Sequence, residues 1–325
     1  MFKDNADFRK YLPISNAFSL EEVQYAINKA LENHIYTVIP ENQIDSLLTD
    51  YEANTLTGVR LKVFKYLQEV VANFCIYYHT DFANIKYSEA GLHVIVTDRE
   101  KPINLQEKNT SKRVCFLTAI TLLDKTLQKM EANKADFSLW SGSETYTVYH
   151  SNFIRNANEF SQYVNIGQSR LLFLQLKNSL QEQENIELPN ILGLTLYQEM
   201  QNALKTNSLN LQQELLRHHI IPYIARKVMS KNIVTLNLTY EGGFMKLSYN
   251  ELTNDAIKEN KDNKHLDALI RHYESEAESR LVLLVKFLND NLNHFPSFAL
   301  ESKFYAKPQV CKKSLNNQGS KSFWL

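Results

Sequence analysis

Glycine is almost missing from this chain, with eight residues in 325. A phosphate-binding loop needs Gly-x-x-x-x-Gly-Lys-Ser/Thr between a strand and a helix, and a nucleophile elbow needs Gly-x-Ser-x-Gly. Neither pattern is present. Cysteine is scarcer still. Cys75, Cys115 and Cys311 are an odd number at wide spacing, which builds neither a disulfide framework nor a zinc site, so three free thiols are expected. No window offers eighteen unbroken apolar residues, so no membrane span is expected. The start, Met1 to Asp7, lacks a basic region followed by an apolar core, and the chain reads as made without a secretory signal in a reducing cytoplasm. Net charge is absent too. Lys plus Arg balances Asp plus Glu at 36 each, so no global field draws the protein onto nucleic acid or anionic lipid.

The few chemical candidates that remain have simpler readings. His218 and His219 are adjacent, so on a helix they point about 100° apart and do not chelate one ion. His272 and Glu276 have i, i+4 spacing, but the run Arg271 to Glu278 alternates charge as a solvated helix face with local ion pairs does. No His-Glu-x-x-His and no calcium loop occurs. Cys75 falls on the apolar face of a long helical pattern, where a thiol packs as a small inert core residue. The expectation is a protein with no catalytic residues, no cofactor and no metal, and not an enzyme.

What the chain does contain is helical periodicity, interrupted twice. Residues 8 to 19 read as an extended arm ending at a capping box, Ser19 with Glu22. Val23, Ile27, Ala30 and Leu31 then recur at helical spacing, and Pro40 starts a short second helix with Ile44, Leu47 and Leu48 inward. The longest pattern runs from about Thr57 to Tyr78. After it the period falls to 2, and Ile85 and Tyr87, then Leu92, Val94 and Val96, alternate around Glu89, Ala90 and Gly91 as a β-hairpin. Residues 98 to 113 are polar and are expected to form an exposed loop, with helix resuming near Val114.

The same design is written a second time. Tyr240 to Leu247 follows the pattern of Tyr87 to Val94, with a second hairpin turn at Glu241, Gly242 and Gly243. The glycines lie 243 − 91 = 152 apart, as do Tyr11 and Tyr163, and Ile39 and Ile191. Leu211 to Met229 matches the long helix, with Pro222 inside it as an expected kink or break. Residues 251 to 264 match the polar loop, His265 to Asn293 match the helix that follows, and Leu122-Leu123 to Phe137 echoes Leu283-Leu284 to Phe295. Between the copies, Phe137 to Tyr146 is an aromatic turn, followed by a helix carrying Phe153, Ile154, Ala157 and Phe160. That composition is not a flexible linker, so the halves are expected in a fixed relation. The expected fold is mainly α with short β-hairpins, a duplicated helical domain. Residues 1–155 form a first repeat with its hairpin near 84–97, and 156–301 a second with its hairpin near 235–248. Residues 302–325 form an extended basic arm.

That arm carries Lys303, Lys307, Lys312, Lys313 and Lys321 with no acidic residue after Glu301, interleaved with Phe304, Tyr305, Phe323, Trp324 and Leu325. Lysines beside aromatic rings suit single-stranded nucleic acid. The same composition suits an arm lying in a groove of a neighbouring subunit, and this reading is favoured. The candidate interaction residues are therefore Phe304, Tyr305, Lys312, Lys313, Phe323, Trp324 and Leu325. The strand edges beside the turns at Glu89, Ala90 and Gly91 and at Glu241, Gly242 and Gly243 are a second candidate surface.

At Phe137-Ser138-Leu139-Trp140, Tyr146, Phe153-Ile154, Ala157, Phe160, Tyr163, Ile166 and Ser169-Arg170, the chain resembles a family found in Bacteroidetes phages and prophages. Leu12-Pro13, Val71-Ala72 and Ala90-Gly91 fit the same pattern. That family occurs beside phage structural genes and is similar in outline to the head–tail connector, or neck adaptor, proteins of tailed phages. The connectors' Pro-x-x-Gly-type segment keeps its glycine at Ile191 to Leu196 and lacks it at Pro40 to Ile44. The resemblance implies a virion structural protein that forms a ring beneath the portal, in contact with portal protein and with tail or further neck proteins. DNA would pass without sequence-specific binding and no membrane would be involved. It also implies assembly in the host cytoplasm and residence in the virion neck. The alternative is a nucleic-acid-binding packaging accessory that uses the Lys-rich tail.

Overall fold

A computed structural model describes residues 1–12, 19–82, 85–88, 91–94, 104–143, 146, 152–236, 238–241, 243–247 and 263–305. The architecture is mainly helical. Helices α1 (Asn5–Arg9), α2 (Leu20–Ala30), α3 (Glu41–Glu52) and α4 (Gly58–His79) are followed by β1 (Ile85–Ser88) and β2 (Gly91–Val94), then by α5 (Leu105–Ala132) and α6 (Ser138–Ser141). The order then recurs. Helices α7 (Ala157–Ser161), α8 (Arg170–Leu192), α9 (Leu194–Lys205) and α10 (Leu211–Thr235) precede β3 (Leu238–Glu241) and β4 (Phe244–Leu247), with α11 (Asn263–Asp290) and α12 (Pro296–Glu301) closing the series.

Two buried apolar clusters divide the chain, one gathering residues from Phe8 to Tyr146 and the other from Phe153 to Phe298. In each lobe the long central helix, α4 or α10, packs against the 28-residue helix that follows the strands and against the second helix of the lobe, α2 or α8. The central helices have no polar stripe along their middles. Val70, Val71, Ala72, Phe74 and Cys75 are consecutive or nearly so and all buried, as are Ile220 to Ala225. A helix apolar all round belongs in the middle of a bundle.

Corresponding buried positions fix the register between the lobes. Val23, Ile27, Ala30, Ile35 and Ile39 match Leu176, Leu180, Gln183, Leu188 and Leu192 at 192 − 39 = 153, and all are buried. The strands keep this spacing, since Ser88 pairs with Gly91 and Glu241 with Phe244. Gly91 therefore corresponds to Phe244 and not to Gly243, which corrects the 152-residue register drawn through the two glycines, and Ile39 corresponds to Leu192 and not to Ile191. Only the short first helices keep 152, with Phe8 and Phe160 both fully buried. Beyond the strands the spacing is 158. Ala119 with Ala277, Met130 with Leu288, Phe137 with Phe295 and Trp140 with Phe298 are all buried pairs, so Leu122-Leu123 does not correspond to Leu283-Leu284.

Several local expectations are corrected as well. Residues 105–113 are helix and not loop. Asn104 accepts a hydrogen bond from Glu107 N at 2.8 Å, Glu107 Oε2 accepts one from Asn104 N, and α5 starts there, nine residues before Val114. Reciprocal capping satisfies two orphan backbone donors, so a polar first turn is stable without an apolar face. Residues 263 and 264 likewise belong to α11, while 98–103 and 251–262 lie outside the described residues. Phe8 and Arg9 end a one-turn helix and are not part of an extended arm. Ser19 does cap α2, but its hydroxyl accepts from Glu21 N at 3.3 Å. Helix α10 runs unbroken through Pro222, and Pro222 O accepts from Arg226 Nη1 at 3.0 Å. Phe153 and Ile154 precede helix α7 and are not carried on it.

Candidate functional site

The predicted terminal surface is partly in view. Phe304 is half exposed, with its N–H bonded to Ser302 Oγ at 3.0 Å. Tyr305 packs against the second core and meets Phe298 edge-on at 6.0 Å. Lys312, Lys313, Phe323, Trp324 and Leu325 lie outside the described residues. Three contacts anchor the root of the arm. Ser302 Oγ donates to Ile191 O at 2.5 Å, Lys303 N donates to Asn190 O at 3.3 Å, and the Glu301 carboxylate accepts from Thr195 N and Thr195 Oγ1 at 2.8 and 2.6 Å. The bonds from Thr195 hold the Glu301 carboxyl below its ordinary range. Glu301 thereby caps the N-terminus of α9, where Gly193 takes φ +86° and an added Cβ would come within 2.8 Å of Glu301 Cβ.

The turn residues divide similarly. Glu89, Ala90 and Gly242 lie outside the described residues, Gly91 opens β2 and Glu241 ends β3. Gly243 has φ +88° in open space, as a two-residue hairpin turn requires, and its carbonyl accepts from Asn165 Nδ2 at 2.9 Å. Met245 N donates to Asn165 O at 2.9 Å, and Leu238 and Met245 are buried, so the second strand pair is docked on its lobe.

The side chains weighed for chemistry have packing roles. His219 stacks on Phe287 with centroids 4.5 Å apart, and burial lowers its pKa. Glu276 faces Arg226 at 3.5 Å. Burial pushes the Cys75 thiol up to about 12, so it holds its proton. Among the described residues, no group of three His, Cys, Asp or Glu side chains is arranged to hold a metal ion. No helix among them is long and apolar enough to cross a membrane.

The best-built polar arrangement is one that spacing did not single out, the seam between the lobes. Asp124 on α5 accepts from Leu171 N at 3.0 Å, so a carboxylate of the first lobe caps α8 of the second. Burial raises the Asp124 pKa, against the opposing pull of the Leu171 N–H, the Ser169 hydroxyl and the Arg170 N–H. One turn on, Gln128 Nε2 donates to Gln168 O at 3.2 Å, and Glu131 Oε2 lies 3.6 Å from the buried Arg170 Nη1. The Arg170 guanidinium stands 5.2 Å from the Tyr146 ring centroid and 5.9 Å from that of Trp140. Leu171 and Leu174 close the seam by packing onto the first core, Leu174 touching both. Asp124, Gln128 and Glu131 follow i, i+4, i+7 and so form a polar stripe on one face of α5, and this was the signal in the sequence. Trp140, Tyr146 and Arg170 meet here.

A second polar knot ties the connection to the second lobe. Arg217 donates through Nε and Nη2 to Phe153 O at 3.0 and 2.7 Å and pairs with Glu159. Glu184 accepts from Phe153 N at 3.1 Å, and burial pushes its pKa up to about 8. With Tyr146 held in the first core and Phe153 in the second, both ends of the short connection are fixed. These arrangements join and brace; they present no nucleophile, base and oxyanion donors around a shared space.

No curated protein and no solved structure matches the chain. One family model does, over residues 27–150 and again over 188–305, stretches that together hold most of both lobes. The chain belongs to that family of unknown function, DUF6712.

Proposed function

We propose that the chain is a structural virion protein of the head–tail neck, an adaptor that assembles as a ring beneath the portal and forms part of the DNA conduit. The observation that carries this reading is the braced seam. Two lobes of matching element order are locked by a buried guanidinium, a helix cap and shared apolar packing, which favours a building block over a hinged catalytic cleft. The matched burial, at spacings of 152, 153 and 158 residues along the chain, supports descent of residues 1–155 and 156–301 from one duplicated unit. Zero net charge suits a conduit that does not grip DNA. The resemblance at Trp140, Tyr146 and Arg170 supplies the phage context, with the portal and the tail or other neck proteins as partners, the virion neck as location and the host cytoplasm as place of assembly.

Residues 302–325 are proposed to act as the arm that engages a neighbouring subunit. Phe323, Trp324 and Leu325 contribute roughly 1.5 to 3 kcal/mol each on burial, before ordering costs. Deleting 307–325 is expected to leave a folded monomer that no longer assembles; normal ring formation by the truncated chain would refute the role. The lysines of the same arm favour a second reading, a packaging accessory that binds nucleic acid. A salt titration separates the two, because phosphate contacts weaken steeply with salt and apolar docking does not.

A further inference from the structure

Four large apolar side chains stand exposed around the root of the arm. Ile186, Leu194, Leu300 and Phe304 are 54, 56, 85 and 41% exposed. Each lies within one residue, or one helical turn, of the contacts that anchor the root. Leu194 sits between Gly193 and Thr195, Leu300 beside Glu301, and Phe304 beside Lys303. Ile186 is one turn before Asn190, whose Nδ2 donates to Ile186 O at 2.7 Å. Apolar side chains scattered singly over a surface need no explanation, whereas four around one point do.

The first lobe has no such patch at the corresponding positions. At the spacings of 153 and 158 residues, Ile186, Leu194 and Leu300 correspond to Asn33, Glu41 and Gly142, which are exposed as well. The site on the backbone is thus the same in both lobes, and only its chemistry differs. What also differs is the chain that follows. After α6 it enters the connection to the second lobe, and after α12 it enters the arm. The apolar side chains stand only where the arm begins.

The described chain reaches Tyr305 at the rim of this patch, and the next six residues carry Ala306, Pro308, Val310 and Cys311 against a single charge, Lys307. The lysine-rich polar run starts only at Lys312. Six residues span up to about 20 Å when extended, and the turn of α8 from Ile186 to Asn190 is about 6 Å long. The stretch is therefore long enough to cross the patch and apolar enough to gain from it. We propose that residues 306–311 lie across Ile186, Leu194 and Leu300 of their own chain, as a strap that keeps the arm on its subunit until a neighbour receives it. The seat stands without the assembly reading above; the role of the strap rests on that reading.

The thiol of Cys311 reports the seat. In the full-length chain carrying Cys115→Ser, with Cys75 buried and inert, an aromatic disulfide reagent is expected to modify Cys311 at least about tenfold more slowly than in the denatured chain. That rate should not depend on protein concentration. Leu194→Ser combined with Leu300→Ser should return it to the rate of the denatured chain, with unchanged circular dichroism because both side chains are exposed. Leu105→Ser combined with Val114→Ser, equally exposed positions of the first lobe, should leave it slow. A fast Cys311 in the otherwise unaltered chain, or a slow one that persists in the Leu194 and Leu300 pair, would overturn the seat. Protection that appears only as concentration rises would give the patch to the arm of a second copy and overturn the strap. Sedimentation of the same samples keeps the two readings apart: particles with a fast Cys311 leave assembly standing without the seat, and monomers with a slow Cys311 leave the seat standing without assembly.

Discussion

The two lobes solve one problem in two ways. In each, a short first helix begins with a side-chain cap: Asp4 Oδ1 accepts from Asp7 N at 2.7 Å, and Asn156 Oδ1 accepts from Glu159 N at 2.9 Å. Each third residue then turns its carboxylate back, Asp7 to Lys3 N and Glu159 to Arg155 N. Both carboxylates face the lobe interior and need partners there. The first lobe supplies mainly neutral donors, Tyr51 at 2.9 Å and Gln68 at 3.1 Å, with Lys10 at the rim, and keeps Phe64 in its core. The second places Arg217 where Phe64 would stand, and the guanidinium serves both Glu159 and the Phe153 carbonyl. The difference teaches that the same backbone cap tolerates either a hydrogen-bonded or an ion-paired interior. It also shows that only the second lobe uses its knot to hold the chain arriving from the other.

Breaking that knot gives the largest expected effect. Arg217→Ala leaves Glu159 and Phe153 O without their buried partner and should destabilise the second lobe by about 3 to 5 kcal/mol, seen as loss of hydrogen-exchange protection in α8 and α10 with α4 still protected. Equal loss in both lobes would mean that they do not unfold separately. Next is Gly193→Ala, where positive φ and the contact with Glu301 combine to cost about 2 kcal/mol, read as a lowered melting temperature; Gly243→Ala, strained but in open space, should cost about half of that.

Acidity sharpens the comparison further. Burial lowers the His34 pKa to about 4, as its ring stacks 3.8 Å from Phe74 and bonds to Tyr78 OH at 2.8 Å. A histidine depressed from 6.5 contributes stability that is complete above 6.5 and is lost as pH falls toward 4, because the unfolded chain takes the proton first. Burial also pushes the Asp7 carboxyl up, but bonds from Lys10, Lys3 N and Tyr51 outweigh it and hold it low, so its contribution is lost in stronger acid. Glu184 runs the other way. Its carboxyl is raised from 4.5 to about 8, so the second lobe loses stability as pH rises across that window. Hydrogen exchange at pH 5 and pH 8 should therefore show the first lobe weaker in acid and the second weaker in base. The His34 part amounts to about 1 to 2 kcal/mol after allowing for solvent screening; Glu184→Gln should flatten the second lobe's response.

Much of the helical order was legible because apolar residues recur at 3.6 in Val23 to Ile39, in the long central helices and in the last long helix. The slip of one residue in the strand register came from matching Gly91 to Gly243, whereas the paired strands align Gly91 with Phe244. The start of α5 was hidden because Leu105 to Arg113 is stabilised by an Asn104–Glu107 capping box and not by an apolar face. Pro222 misled because the surrounding packing outweighs one missing donor. The seam was legible only as a polar stripe on α5, since the pairing of Asp124 with Leu171 N is made across 47 residues of chain.

The central proposal is that this is an assembly protein built twice from one unit. Mass photometry of the purified full-length chain tests it most directly. The account predicts one dominant species at an integer multiple of 37.8 kDa, ring-shaped in negative stain. A single species at 37.8 kDa at every concentration would contradict it.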